Sequence, residues 1–546
     1  MLGQMMQVPL LVSSQIEFAA RYHAPVDIVS RGVEGELRRS TWGRTASRAR
    51  QLANALTRLG VRQGDRVATI AWNTDRHLEI YFAVSSMGAV LHTINPRLPL
   101  DQLRYIVDHA EDSALFFDTT FTKLAQFLSQ QATPVRHYVA MTDAAHLPDT
   151  GIAGLVDYEG FIAGESESFD WPRLDENTAS SLCYTSGTAG FPKGVLYSHR
   201  STVLHSYAIA LPDALGFSAR DTMLPVVPMF HVNAWGVPYA AACVGARLAL
   251  PGPGLDPPNL VDLIEREKVT CLLGVPTVWH ALLAHLQATG KKLTTVKKAG
   301  IGGAAVPPRM IQAFESHGVQ VLHAWGMTEM SPVGTVNWLL PRHDALSDDE
   351  KLALKCKQGR PIYGIDVRIV DDENQVLPHD GKATGHLQVR GWWVVDRYFK
   401  RDSDDARHGE WFDTGDIASI DPDSYVQITD RAKDLIKSGG EWISSIDLEN
   451  AAMSHPAVAQ AAAIGVAHPK WQERPLLVVV KAPGKDVTAD ELQAFLATKI
   501  VKWWLPDAVE FVEALPIGPT GKVLKRQLRE TFAGYVLEDP PTSTPA

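Results

Sequence analysis

Short apolar runs that read as buried strands alternate with helical periodicity through the first three quarters of the 546-residue chain, and this alternation limits the fold more than any other feature. Arg66-Val-Ala-Thr-Ile-Ala71 is one such run, and a helical pattern over Leu78 to Ser86 follows it. Ala89-Val-Leu-His-Thr93 closes the unit, and a further helix opens near Pro99. Leu115-Phe-Phe117, Tyr138-Val-Ala140, Arg247-Leu-Ala-Leu250 and Cys271-Leu-Leu273 are further strand candidates. The pattern predicts α/β layers with mainly parallel sheets. From Thr384 to Ile428 short strands and turns take over, and beyond Asp430-Arg-Ala-Lys433 an α/β pattern resumes until near Phe532. A chain of this length exceeds one compact core. The expected division is 1–430 and 431–546, the second piece being large enough to fold as a unit. No internal repeat is visible.

Residues 184–194 read Tyr184-Thr-Ser-Gly-Thr-Ala-Gly-Phe-Pro-Lys-Gly194. Glycines let the backbone approach a ligand closely. Backbone N–H groups, the hydroxyls of Thr185, Ser186 and Thr188, and the Lys193 ammonium together suit a polyphosphate. The spacing is neither a Walker loop nor a dinucleotide fingerprint. Ala179-Ser-Ser-Leu-Cys-Tyr184 before it reads as a buried strand, and Gly194 to Arg200 leads into a helical pattern from Thr202. Strand, glycine loop and helix is a setting for phosphate binding. Gly300-Ile-Gly-Gly-Ala-Ala305 loosely fits a dinucleotide pattern, but no acidic residue follows at the ribose-binding distance.

The loop resembles the signature of the adenylate-forming enzymes, which include acyl-CoA synthetases, luciferases and peptide-synthetase adenylation domains. Further segments match that family in order along the chain: Pro228-Met-Phe-His-Val-Asn-Ala-Trp-Gly236, Gly302-Gly-Ala304, Trp325-Gly-Met-Thr-Glu329, Gly359-Arg-Pro361, Trp411-Phe-Asp-Thr-Gly-Asp416, the stretch from Asp430 to Trp442, and Pro519-Thr-Gly-Lys522. The Met1-Leu-Gly-Gln-Met-Met6 start, His92-Thr-Ile-Asn-Pro-Arg97 and His199-Arg-Ser-Thr-Val-Leu-His205 resemble the medium-chain fatty acid and 3-methylmercaptopropionate ligases within that family. The resemblance implies a large N-terminal domain of layered α/β sheets with a distorted β-barrel subdomain, followed by a small mobile α+β lid. It implies an ATP-dependent acid–CoA ligase for a short- or medium-chain acid, working through acyl-AMP and releasing AMP and pyrophosphate. A stand-alone adenylation enzyme that loads a carrier protein is the alternative.

The resemblance also assigns roles. Thr185, Ser186, Gly187, Thr188 and Lys193 would hold the ATP phosphates, although Ala189 stands where the family usually carries a hydroxyl. Gly302, Gly303, Ala304, His323, Ala324, Trp325 and Gly326 would border the nucleotide. Thr328 would meet the α-phosphate, Glu329 would hold Mg2+, and Asp416 and Arg431 would bind the ribose. Lys522 would bridge the carboxylate and the α-phosphate as negative charge builds. Lys433 would be the hinge, with Lys437, Gly439, Gly440, Glu441 and Trp442 on the CoA face. His231 and Trp235 would flank the acyl pocket, and the bulk of Trp235 suggests short or medium chains.

The net charge of −10 and the pI near 6.0 come without a basic patch, which speaks against a nucleic-acid partner. Cys183, Cys243, Cys271 and Cys356 lie far apart without metal spacing and read as buried free thiols in a reducing compartment. The N-terminus lacks the basic region and cleavage site of a signal peptide. No apolar run is long enough to span a membrane. A cytoplasmic homodimer using ATP, Mg2+ and CoA is the expectation.

Overall fold

The computed structural model describes residues 1, 3–185, 191–402, 406–432, 434–438, 441–518, 523–535 and 537. Two large sheets dominate the N-terminal part, as the alternation predicts. One runs Val156–Asp157, His137–Ala140, Asp112–Phe117, Arg66–Ile70, Val90–Thr93, Ala179–Tyr184 and Gly194–Ser198, all parallel except the last strand. The other has a parallel centre of Gln320–Gly326, Lys298–Gly302, Cys271–Gly274, Thr222–Pro225, Arg247–Leu250 and Asp27–Arg31. Antiparallel strands complete both of its edges.

A single apolar core contains residues of both sheets, among them Val67 and Leu91 from one and Met223 and Leu248 from the other. The helix Asp75–Ser86 lies in that core with all twelve residues buried. Its polar groups therefore need internal partners. His77 lies between the Trp72 carbonyl at 2.9 Å and the Thr69 hydroxyl at 3.0 Å. Glu79 accepts from Arg48 and from the Tyr158 hydroxyl, each at 2.7 Å.

Arg48 also reaches Glu159 at 2.9 Å, as does Arg76. Burial by itself would raise the Glu159 carboxyl, but Arg48 and Arg76 outweigh it and hold it down to about 2. A carboxyl depressed in the folded state stabilises the fold above its unfolded pKa, and that stability is lost as pH falls through the folded value. Thermal melts are thus expected to lose on the order of 2 kcal/mol between pH 5 and pH 2 from this group, allowing for its partial exposure. Glu159→Gln should be less stable at neutral pH but flatter across that interval. An unchanged acid slope in the variant would contradict the assignment.

The third sheet is antiparallel and combines Ile365–Val370, Thr384–Gly391, Trp411–Ile420, Arg407–His408 and Val426–Arg431. It stands where the distorted barrel is expected. The fourth joins Glu441–Ile443, Ile436–Ser438, Gln472–Lys481 and Val458–His468 antiparallel, with Ala508–Phe511 parallel to its long central strand. Around it the helices Ser445–Met453, Ala489–Leu496 and Lys525–Thr531 complete a small α+β unit. Among the described residues no helix is long and apolar enough to cross a membrane. All four cysteines are free, and burial raises each thiol, Cys183 to about 11 and Cys271 to about 12.

One local expectation fails. Gly194–Ser198 is a strand antiparallel to Ala179–Tyr184, so the glycine loop closes a hairpin and does not open a helix. The sequence Gly-Val-Leu-Tyr-Ser buries alternating residues against the sheet, which suits a strand. The helix starts only at His199, where Ser198 and Ser201 form a capping box.

Candidate active site

A cleft of about 440 Å³ is bordered by Thr185 and Lys193 at the edges of the glycine loop, by Gly302, Gly303 and the Ala324–Glu329 stretch, by Arg431, and by His231 and Trp235. Sequence reasoning brings these residues together by motif; the fold brings them together by placing strand ends side by side.

The base of the glycine loop is firmly held. Thr185 donates its N–H to the Lys193 carbonyl at 2.9 Å, and Lys193 returns a bond to the Thr185 hydroxyl at 3.2 Å. Beneath it the Tyr184 hydroxyl meets His109 Nδ1 at 2.7 Å, and Phe191 lies 4.5 Å from the ring of Tyr105. Ser186, Gly187, Thr188 and Ala189 lie outside the described residues, as do Lys433, Gly439, Gly440 and Lys522. Lys437 sits exposed on the strand Ile436–Ser438, away from the cleft, and the side chains of Glu441 and Trp442 also lie outside what is described.

Lys193, Tyr398 and Glu329 form a continuous chain of contacts. The Lys193 ammonium lies 4.4 Å from the centre of the Tyr398 ring, and the Tyr398 hydroxyl donates to Glu329 Oε1 at 2.6 Å. Val395 N–H holds the Glu329 carbonyl at 2.7 Å. Burial pushes the Glu329 carboxyl above its usual range, opposed by Tyr398 and more weakly by Arg431 and Lys193. Next to it, the Thr328 carbonyl accepts from the Tyr197 hydroxyl at 2.6 Å. The flat wall beside them depends on glycine. A β-carbon on Gly302 would lie 2.6 Å from the Ala324 carbonyl of the adjacent parallel strand, and one on Gly326 would strike the Pro332 carbonyl.

Asp416 lies just behind this wall and does not border the cleft. It accepts from Trp325 Nε1 at 3.1 Å and pairs with Arg431 at 2.8 Å, so it fixes two residues that do. Ala304 and His323 also fall outside the lining. His323 is buried, and desolvation lowers its imidazole to about 4, so it is neutral.

Part of the lining is apolar, with Val226, Val227, Phe230, Val275, Val278 and Trp235, and Trp235 and Val275 lie against Gly302 and Gly303. Asn73 pins its entry by donating to the Pro225 and Val227 carbonyls at 2.7 and 2.9 Å and accepting from Met229 N–H at 2.6 Å. The chain then makes a left-handed turn. Val232, Asn233, Ala234, Trp235 and Gly236 have φ of 47°, 48°, 49°, 58° and 73°. Left-handed backbone costs a non-glycine residue roughly 1–2 kcal/mol, and a β-branched residue such as Val232 is a marked outlier. Such a segment persists only where its surroundings over-determine it.

Gly236 ends the turn against His205, whose Nε2 accepts from Val333 N–H at 3.1 Å. An added β-carbon would lie 2.7 Å from His205 Nδ1. Gly236→Ala is expected to destabilise the protein by about 2–4 kcal/mol through positive φ and displacement of a packed ring. Adding His205→Ala should recover part of that loss, because the collision is shared. Fully additive losses in denaturant melts would contradict the collision.

The sequence of the chain matches the AMP-binding enzyme description over residues 17–399 and the AMP-binding enzyme C-terminal domain over residues 447–522. This chain belongs to the AMP-binding enzyme family. It is 54% identical over 533 residues to a 3-methylmercaptopropionyl-CoA ligase of Ruegeria lacuscaerulensis, covering 97% of this chain and 99% of that protein. It is 51% identical over 538 residues to a medium-chain fatty acid–CoA ligase of Ectopseudomonas oleovorans, covering 98% of each. The fold matches the crystal structure of the anthranilate CoA ligase AuaEII in complex with anthranoyl-AMP, with a TM-score of 0.86 at 23% identity, over 97% of this chain and 99% of that one. Within this family member, Tyr398, Asn73 and Asn233 escape sequence reasoning. Tyr398 and Asn73 are single polar residues outside the matched segments, and Asn233 lies inside one without a role assigned to it; only the three-dimensional contacts single them out.

Proposed function

We propose that this chain is an ATP-dependent acid–CoA ligase for a short- or medium-chain acid, with 3-methylmercaptopropionate among the candidates. The observation that carries this reading is the mixed lining of one cleft. Thr185, Lys193 and a buried Glu329 are suited to phosphate, and Val226, Val227, Phe230, Val275, Val278 and Trp235 give an apolar surface suited to an acyl chain. More than half of the residues are identical to those of named acyl-CoA ligases over nearly the whole chain, which supports the same chemistry.

In the first half-reaction an oxygen of the acid carboxylate attacks the α-phosphorus of ATP, and the bond to the β-phosphate oxygen breaks. Pyrophosphate leaves and acyl-AMP remains. In the second, the CoA thiol attacks the acyl carbon, the acyl–phosphate bond breaks, the thiol proton passes to solvent, and AMP leaves. Both partners of the first step are anions, so positive charge and positioning dominate its barrier. Lys193 and Lys522 supply charge in this reading. Arg431, fixed by Asp416, supports the nucleotide side, and Thr328, whose carbonyl is held by Tyr197, would meet the α-phosphate.

Glu329 is suited to a hard divalent cation. It is a buried carboxylate with one oxygen engaged by Tyr398, and no group of three or more His, Cys, Asp or Glu that could hold a metal ion occurs among the described residues. That arrangement fits Mg2+, which takes one or two carboxylates together with substrate phosphates and water. When bound, Mg2+ would neutralise charge building on the leaving pyrophosphate. The lid beyond residue 430 is taken to alternate about Lys433, exchanging the Lys522 face for the CoA face. A cytoplasmic homodimer completes the reading, and four free thiols suit that compartment.

The first half-reaction is tested without CoA. Exchange of labelled pyrophosphate into ATP should require both Mg2+ and a short or medium acid. Exchange that ignores the acid, or none with any acid, would contradict the proposal.

A further inference from the structure

Asn233 lies inside the left-handed turn and is almost wholly buried. Asparagine is among the few non-glycine residues that tolerate this backbone region. Its side chain does more than tolerate it. Nδ2 donates to the Ser181 hydroxyl at 2.7 Å, and Oδ1 accepts from Cys183 Sγ at 3.3 Å and from the Thr93 hydroxyl at 3.5 Å. Ser181 and Cys183 belong to the strand Ala179–Tyr184, which runs directly into Thr185 and the glycine loop. On the neighbouring strand Tyr197 stands opposite Ser181 and bonds the Thr328 carbonyl. One buried amide thus ties the segment bearing His231 and Trp235 to the strand bearing the phosphate loop, one strand away from Thr328 and Glu329.

We propose that Asn233 is a positioning residue that couples the acyl wall of the cleft to its phosphate loop, so that the two binding sites share one geometry. This inference rests on the reading of the cleft as an ATP and acid site. Val232, Ala234 and Trp235 are residue types that disfavour left-handed backbone, and the local bond from Ala234 N–H to the His231 carbonyl at 3.0 Å is the modest return. The bonds of Asn233 to the strand are what hold the turn against relaxation. Without them the turn relaxes, the segment carrying Trp235 shifts, and the strand loses its fixed points at Ser181 and Cys183, four and two residues before Thr185.

The test compares wild type, Asn233→Gly, Ser181→Ala and the double variant. Glycine keeps the left-handed freedom and removes only the side chain. Each single variant is expected to weaken ATP binding, measured by titration calorimetry, by about 5–10-fold. Each should also raise the KM for the preferred acid about tenfold and broaden the chain-length preference. The double variant should be little worse than the poorer single, because both remove the same bond. Should Asn233→Gly fail to fold, Ser181→Ala carries the test. Unchanged ATP affinity and acid preference in a folded variant, whatever its melting temperature, would overturn the coupling, as would losses that multiply in the double. Wild type that binds ATP but uses no acid would sink the ligase reading by itself, and the ATP-binding cycle would still decide the coupling between turn and loop.

Discussion

Replacing Glu329 by glutamine is expected to lower acid-dependent pyrophosphate release by about 10²–10³-fold, the range seen when a preorganised electrostatic group is lost. The substitution keeps shape and the Tyr398 contact but removes the charge. Tyr398 donates to Glu329 Oε1 at 2.6 Å, and an amide oxygen can still accept that bond. The fold should therefore tolerate the change. Burial already pushes this carboxyl upward, so in the empty cleft its charge is costly. Tyr398, Arg431 and Lys193 offset part of that cost and a bound cation would offset more, which makes Glu329 the residue at which Mg2+ dependence should concentrate. The variant should need much more Mg2+ for any residual rate, with a melting temperature close to wild type. Full activity at ordinary Mg2+ would remove Glu329 from the metal role.

Lys522→Ala is expected to abolish adenylation, with a loss of at least about 10³-fold, while thioester formation from supplied acyl-AMP falls by less than about tenfold. A carboxylate approaching a polyphosphate needs a cation at the point where negative charge builds, and a lysine point charge can bridge two oxygens there. Lys522 itself lies outside the described residues, but the helix that follows it, Lys525–Thr531, is well anchored. Lys525 pairs with Glu449 at 2.7 Å, and Arg529 pairs with Asp434 at 2.8 Å. Losing the Lys522 side chain leaves those anchors intact, so the effect should fall on chemistry and spare stability. Equal loss of both half-reactions would contradict the assigned role.

Much of this fold was legible because its signals are periodic. Arg66–Ile70, Val90–Thr93 and Asp112–Phe117 are short apolar strands separated by helices, and they pair in parallel as that order requires. The glycine loop and the Trp325-Gly-Met-Thr-Glu329 stretch were legible as motifs, and Thr185, Lys193, Thr328 and Glu329 do border one cleft. What escaped was set by tertiary context. Gly194–Ser198 is too short for its period to distinguish a strand from the approach to a helix, and pairing with Ala179–Tyr184 decides it. The left-handed turn at Val232–Gly236 contradicts local preference, so no propensity argument finds it. Asn233 and Tyr398 act through partners fifty or more residues away in sequence, which no single-sequence pattern encodes.

The most direct measurement is AMP formation from ATP, Mg2+ and CoA across acids from butyrate to palmitate, with 3-methylmercaptopropionate included. The account predicts a CoA-dependent maximum at a short or medium acid and a steep fall towards palmitate, because in the proposed reading the bulk of Trp235 in the apolar lining shortens the acyl pocket. Pyrophosphate release that does not depend on CoA, or equal rates up to palmitate, would contradict it.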